Sequence, residues 1–215
     1  MQPMRKTYKE NEMDPLNLKE KFQGLKIEDL LVLDVGCGRY NTPISNQMRQ
    51  LPFKYLASVD IHAPIVRQLE AETRKAKFAA AEHYIGVRDA AEINVYLEHH
   101  YDVIMFLDVI EHLPKNDAMR VLIDARRIAK KRVLVWLPLN DAPQGALEGN
   151  PNQVHQASWT VEELEALGYK VSVFKEFHKQ FDPPVDAAWA IYSVPAKPKH
   201  NIEAPQPSEP SLLTD

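Results

Sequence analysis

The 215-residue sequence predicts an α/β domain, built on a seven-stranded, mostly parallel sheet flanked by helices and finished by a C-terminal antiparallel hairpin. Three observations predict it. From Leu31 onward, short β-rich apolar runs alternate with amphipathic helical stretches, the pattern of strand-helix units that build a parallel sheet. Several runs are apolar on successive residues, as strands covered on both faces must be. The last two runs are joined by a connection too short for a crossover helix, so they pair antiparallel.

The chain before residue 31 is expected to be an extension with a single helix, since Leu16, Leu18, Phe22 and Leu25 are loosely spaced for one apolar face. Strands are expected at Leu31–Val35, Lys54–Asp60, His83–Asp89, Asp102–Asp108 and Arg132–Leu139. Asn41-Thr42-Pro43 reads as a cap with proline at the first helical position, opening a helix to about Gln50. Pro64 opens another, to about Lys75. After Pro114, the spacing of Ala118, Val121, Leu122, Ala125 and Ile128 predicts a helix with one face on the sheet. Thr160-Val161-Glu162-Glu163 is a capping box, and Gly168 ends the short helix it opens. The hairpin strands are Tyr169–Phe177 and Ala187–Val194. The domain is therefore expected over residues 31–197, with a disordered tail over 198–215, rich in Pro, Ser and charge.

Composition excludes several classes of function. Net charge is -4, which gives no global attraction for nucleic acid or an anionic membrane. No apolar run is long enough to span a bilayer, and the charged N-terminus has no apolar stretch behind it, so the expected location is cytoplasmic. The single cysteine, Cys37, allows no internal disulfide, and no structural-zinc set of cysteines and histidines is read from the sequence. Glycine is scarce, 7 against 16 prolines, so the positions of the glycines are informative.

Two of them stand at the end of the first strand, in Leu33-Asp34-Val35-Gly36-Cys37-Gly38. Glycines there let the backbone approach a nucleotide-like ligand at the C-terminal edge of the sheet. The dinucleotide fingerprint is not met, because Asn41 stands where its third glycine belongs, and Asp34 would repel a pyrophosphate. A positively charged ligand suits that carboxylate better. Acids recur at successive strand ends: Asp34, Asp60, Asp89 and Asp108.

With Asp-x-Gly-x-Gly after the first strand and an acid closing the second, the chain resembles the class I S-adenosylmethionine-dependent methyltransferases, a Rossmann-like family, over roughly residues 31–194. The resemblance implies S-adenosylmethionine as cofactor, with S-adenosylhomocysteine as product. It implies that Asp34, Gly36, Cys37 and Gly38 surround the methionine portion, that Asp60 holds the ribose hydroxyls, that Asp89 and Ala90 meet the adenine, and that Asp108 lies beneath the methyl donor. The chain departs from the family pattern at Tyr40, where many members carry a further glycine. It also reads Asp108-Val109-Ile110-Glu111 where amino-directed members often carry Asn/Asp-Pro-Pro-aromatic, so N-methylation of a base or a glutamine is the less expected reaction.

An oxygen nucleophile needs its proton removed, and His112, after the fourth strand, is the expected base, with Glu111 competing for the role. The long loop from Asn140 to Ser158 is expected to form a lid, and His155 and Trp159 are expected to bind the acceptor; alternatively, Trp159 anchors the following helix. The acceptor is expected to be a small-molecule or glycan hydroxyl, of unspecified identity. An RNA or protein acceptor would recruit Arg126, Arg127, Lys130, Lys131 and Arg132, although cations there also complement a helix dipole. A non-catalytic donor-binding protein is the remaining alternative.

Overall fold

The computed structural model describes residues 15, 17–75, 78–95, 100–147 and 149–195. The expected C-terminal tail lies outside them, as does the start of the N-terminal extension. Seven strands, β1 (Leu31–Val35), β2 (Tyr55–Asp60), β3 (Glu82–Val87), β4 (Tyr101–Leu107), β5 (Ala129–Pro138), β6 (Lys170–His178) and β7 (Val185–Ser193), form one sheet in the order β3-β2-β1-β4-β5-β7-β6. The pairs from β3 through β5 are parallel, and β7 lies antiparallel to both β5 and β6. The predicted strands and terminal hairpin are therefore present, with ends displaced by up to three residues.

Alternation along each strand feeds two buried faces. Leu33, Val35, Ile104, Phe106, Val133, Val135 and Leu137 enter one core, which α2 (Lys115–Ile128) and α3 (Val161–Ala166) cover. Helix α2 buries the five residues its spacing predicts, Ala118, Val121, Leu122, Ala125 and Ile128. The capping box at Thr160 forms in both directions, and Gly168 follows α3 at φ +82°. Val32, Val103, Met105, Leu134 and Trp136 enter the second core. Leu69 of α1 (Ala63–Lys75) packs there, but most of the cover comes from residues 18–53, including Leu18, Phe22, Met48 and Phe53.

Two helix expectations are corrected on that face. The N-terminal extension forms two 3₁₀ segments, Leu18–Phe22 and Ile27–Asp29, because Gly24 turns the chain at φ +81° between them. Pro15 is held against the sheet, the Trp189 indole N–H donating to its carbonyl. The stretch after Pro43 is 3₁₀, Ser45–Gln50, with Ile44 at the N-cap position; Thr42 Oγ1 accepts from the Ser45 amide at 3.1 Å in the turn before it. Pro52 disfavours helical backbone at Leu51 and so ends the segment, and the 3₁₀ form buries Met48.

Strand order reverses at β1: β2 and β3 lie to one side, β4 and β5 to the other. Such a reversal leaves a crevice outside the C-terminal strand ends, and the glycine turn after β1 opens into it.

Candidate active site

The turn after β1 runs through three left-handed residues in alternation, Gly36 at φ +69°, Gly38 at +57° and Tyr40 at +51°. It is pinned to β2: the Gly36 and Cys37 amides both donate to the Val59 carbonyl, at 2.8 and 3.0 Å. The Gly38 amide donates to Asp60 Oδ2 at 3.0 Å, while the His62 amide donates to Oδ1 at 2.8 Å. One carboxylate thus locks two turns, and its remaining lone pairs stay available to a ligand. Tyr40 accepts the strained conformation that a glycine would take freely, and turns its side chain away from the crevice. Its hydroxyl lies 2.6 Å from Ser58 Oγ and its ring tilts against Phe78.

Gly36 admits no side chain. A Cβ at this position would lie 2.5 Å from Val109 Cγ2, on a backbone that already disfavours L-residues. Gly36→Ala is expected to lower stability by about 2–3 kcal/mol, from overpacking plus left-handed strain; chemical denaturation measures it, and a loss under 0.5 kcal/mol would remove the role given to this contact.

Two adjoining cavities open beyond the strand ends. The first, about 290 Å³, is lined by Asp34, Gly36, Cys37, Gly38, Asp60, Asp108, Glu111, His112 and His155, with Thr42, Ser45, Gln144, Gln153, His178, Gln180 and Phe181 completing much of its wall. The second, about 260 Å³, shares Gly36, Asp60, Asp108, His112 and Gln153 and extends past Ile61, Asp89, Ala90, Ala91 and Val109. Every residue assigned from the sequence to a cofactor or catalytic role thus borders one cavity or the other. Asp89 Oδ1 also accepts from the Ala91 amide, opening the 3₁₀ segment Ala90–Val95. Trp159 borders neither cavity. It is 0% exposed in the core, its main chain bridges to Asn140, and the Lys115 ammonium sits 3.7 Å above its ring, so it anchors the start of α3 and does not reach the acceptor space.

The first cavity carries four carboxyl groups and neither lysine nor arginine among its described lining residues. Asp34 is 1% exposed and neither of its oxygens accepts a hydrogen bond. Burial pushes its pKa up to about 7; the nearby Tyr40 hydroxyl opposes the rise and the Asp60 charge adds to it. Burial likewise holds the Cys37 thiol well above its usual range, which removes it as a nucleophile. A wall of carboxyl groups, one of them buried and orphaned, is a poor host for a pyrophosphate and a good one for a ligand bearing a sulfonium and an ammonium group, whose charge favours the ionised carboxylates.

At the far end of the cavity, Asp108 is held at φ +55° after β4, its amide donating to the Trp136 carbonyl, and burial pushes its pKa up to about 7. Glu111 is 1% exposed and its Oε2 has no partner; burial first, then the Asp108 charge, push its pKa well up, which favours its protonated form. His112 is half-buried and its pKa falls to about 4, from burial and then the neighbouring His155 ring, so it is neutral and a weaker base than its ordinary value suggests. Its Nδ1 lies 3.4 Å from the Val154 carbonyl, and His155 Nδ1 meets the Ala142 carbonyl, contacts that favour the Nδ1–H tautomer of both rings, with the lone pair on Nε2. The two rings meet edge-on at 4.7 Å, and ligand atoms of Glu111, His112 and His155 all lie within 4.8 Å of one another.

Loop 140–158 brings His155, Gln144 and Gln153 over the cavity. It is fastened beneath by the Gln156 and Ala157 amides, which both donate to the Glu111 carbonyl, and by Gln156 Nε2, which donates to the His112 carbonyl. Gln144, Gln153, His178 and Gln180 were not singled out from the sequence. They come from separate loops and from the end of β6, and no local pattern marks them.

The profile of a family described as "methyltransferase domain" matches residues 33–137. No curated protein matches the sequence. Among solved structures, an S-adenosylmethionine-dependent methyltransferase from Methanosarcina mazei matches with TM-score 0.61 and 13% identity, over 86% of this chain and 99% of that one. Phosphoethanolamine N-methyltransferase 2 of Haemonchus contortus, in complex with S-adenosylmethionine, matches with TM-score 0.59 and 14% identity, over 85% of this chain and 52% of that one. Magnesium protoporphyrin IX methyltransferase of Synechocystis, with S-adenosylhomocysteine bound, matches with TM-score 0.53 and 16% identity, over 79% and 76%. The family profile, the seven-stranded order and the acid-lined glycine turn agree: residues 33–137 match a methyltransferase domain, and the chain has the fold of the S-adenosylmethionine-dependent methyltransferases it is similar to.

Proposed function

We propose that the protein transfers the methyl group of S-adenosylmethionine to a hydroxyl of a small molecule or glycan. One observation carries the choice of acceptor: beside its carboxyl groups, the first cavity is walled by neutral hydrogen-bonding side chains, Gln144, Gln153, Gln180, His112 and His155, under a fastened loop. A space of about 290 Å³ shared with the donor's reactive end admits a small polar group.

In this reading Asp34 faces the donor's cationic methionine end, the Gly36–Gly38 turn lies against its chain, Asp60 accepts from the ribose hydroxyls, and Asp89 and Ala90 border the adenine in the second cavity. Bound there, the cofactor supplies a sulfonium methyl carbon for in-line displacement. Asp108 borders both cavities and stands where they meet. His112 presents Nε2 toward the acceptor space as a proton acceptor, His155 shares in orienting the acceptor, and loop 140–158 keeps water out. Alignment of the two partners supplies most of the acceleration.

The RNA or protein alternative has less support. The basic cluster lies at the end of α2 and the beginning of β5, on the order of 25 Å along that strand from Pro138 at the cavity. Three of its members also have structural tasks. Arg126 stacks on Tyr192 and donates to the Leu167 carbonyl, Lys131 pairs with Asp102 at 3.0 Å, and Arg132 donates to the Lys21 and Gln23 carbonyls.

The test is to supply labelled donor with separated metabolite, glycan, RNA and protein fractions and to follow methyl uptake. Label is expected in a metabolite or glycan fraction, as an alkali-stable ether, with His112→Ala lowering kcat by about 100-fold. Uptake into RNA or protein that falls steeply with salt would overturn the reading.

A further inference from the structure

We propose that Glu111, His112 and His155 form a binding site for a divalent transition ion of the zinc class, set at the acceptor end of the methyl-transfer cavity. The inference deepens the reading above and shares its site. Ion binding itself does not depend on which acceptor is methylated.

Three independent features point to it. The donor set is two imidazoles and one carboxylate, with ligand atoms within 4.8 Å of one another. Such a mixed nitrogen and oxygen set suits zinc and neighbouring first-row ions, and with three protein ligands it leaves a coordination position open to solvent or substrate. Secondly, both histidines are oriented as metal-bound histidines are. Each brings Nδ1 to a main-chain carbonyl, Val154 for His112 and Ala142 for His155, a contact that favours the Nδ1–H tautomer and so leaves the lone pair on Nε2. Thirdly, Glu111 Oε2 is buried without a hydrogen-bond partner, in a residue 1% exposed that lines the cavity. A buried carboxylate oxygen with no partner is costly, and a cation removes that cost. His178 lines the same cavity, and its buried Nε2 is also unpartnered, which places a further donor near the trio.

The spacing sets how far the side chains must move. Ligands each about 2.1 Å from one tetrahedral ion stand about 3.4 Å apart. The widest pair of the trio, within 4.8 Å, therefore needs to close by up to about 1.4 Å, which is within the reach of side-chain rotations. The ligands come from both sides of the cavity, Glu111 and His112 from the 3₁₀ turn after β4, His155 from the loop above. An ion would thus clamp the loop over the acceptor space, and its open position would take the acceptor oxygen. His112 would then act on the acceptor through the ion instead of as a free base.

The test uses the full-length protein, stripped of metal with a chelator and titrated with Co²⁺, followed by visible absorption, and with Zn²⁺ by calorimetry. One equivalent is expected to bind, with a ligand-field spectrum of mixed nitrogen and oxygen coordination. Glu111→Gln, which keeps the side-chain shape, and His155→Ala should each weaken binding by about tenfold or more, with thermal unfolding showing that the variants are folded. Binding that is absent from the wild-type protein, or that survives both substitutions unchanged, overturns the site. Donor affinity, measured on the same samples, separates this from the functional reading. A wild-type protein that binds donor but no ion sinks the ion site alone, and one that binds the ion but no donor supports it while sinking the donor assignment.

Discussion

Asp60→Ala is expected to weaken S-adenosylmethionine binding by at least about 100-fold, the loss of two charge-assisted hydrogen bonds together with a loosened glycine turn. The carboxylate has two tasks at once. Its oxygens hold the Gly38 and His62 amides, and it borders both halves of the donor space. Asp60→Asn keeps one acceptor oxygen and should lie between, at roughly tenfold. Calorimetry with donor and with S-adenosylhomocysteine measures both, and an alanine variant that is folded yet binds within threefold of wild type would contradict the assignment.

Asp34→Asn should act in opposite directions on stability and on binding. The carboxyl is buried, its oxygens accept no hydrogen bond, and its pKa is raised from 3.8 to about 7. Because the folded state holds this proton more tightly than the unfolded one, Asp34 favours folding below about pH 4, and that contribution is lost as pH rises toward 7. The difference approaches about 4 kcal/mol, from 1.36 kcal/mol per pKa unit. Asparagine does not titrate, so the stability of the donor-free variant relative to wild type should climb between pH 4 and 7 and level off above. Histidines of lowered pKa, His83 and His112, titrate in both proteins and cancel in the comparison. Donor affinity at neutral pH should fall at the same time, by about tenfold or more, since the cation loses its counter-charge. A relative stability independent of pH, measured by urea denaturation at several pH values, would show that Asp34 is not carried as a buried, unpaired acid.

Much of the donor side is readable from local pattern, for identifiable reasons. Asp34, Gly36, Gly38 and Asp60 sit at the ends of strands whose apolar runs are unmistakable, and strand ends in a parallel sheet converge on one edge. The helix α2 is legible because all five of its core residues follow one period against a flat sheet. The left-handed turn was legible only in part. Two glycines announce it, whereas Tyr40 enters the same backbone region because Ser58 and Phe78 hold its side chain in the core, and both are distant in sequence.

The acceptor side was less legible. Glu111 and His112 stand out after β4, but burial shifts both against the simplest expectation, pushing the Glu111 carboxyl up and the His112 ring down. No sequence window contains that information, because desolvation depends on what the fold packs around a group. Trp159 shows the same limit, since an aromatic residue in a long loop can face the substrate or the core, and the Lys115 contact and the Asn140 bridge decide for the core.

By itself, the sequence determines the strand and helix order, the terminal hairpin and the acid-glycine turn that marks a methyl-donor fold, because periodicity and backbone preference act over neighbouring residues. Only the tertiary structure decides that β4 lies beside β1, that loop 140–158 folds back over the strand ends, and that His155 meets His112 and Glu111 across 43 positions of chain. Those are contacts between segments far apart in the chain, set by which apolar faces must be buried together.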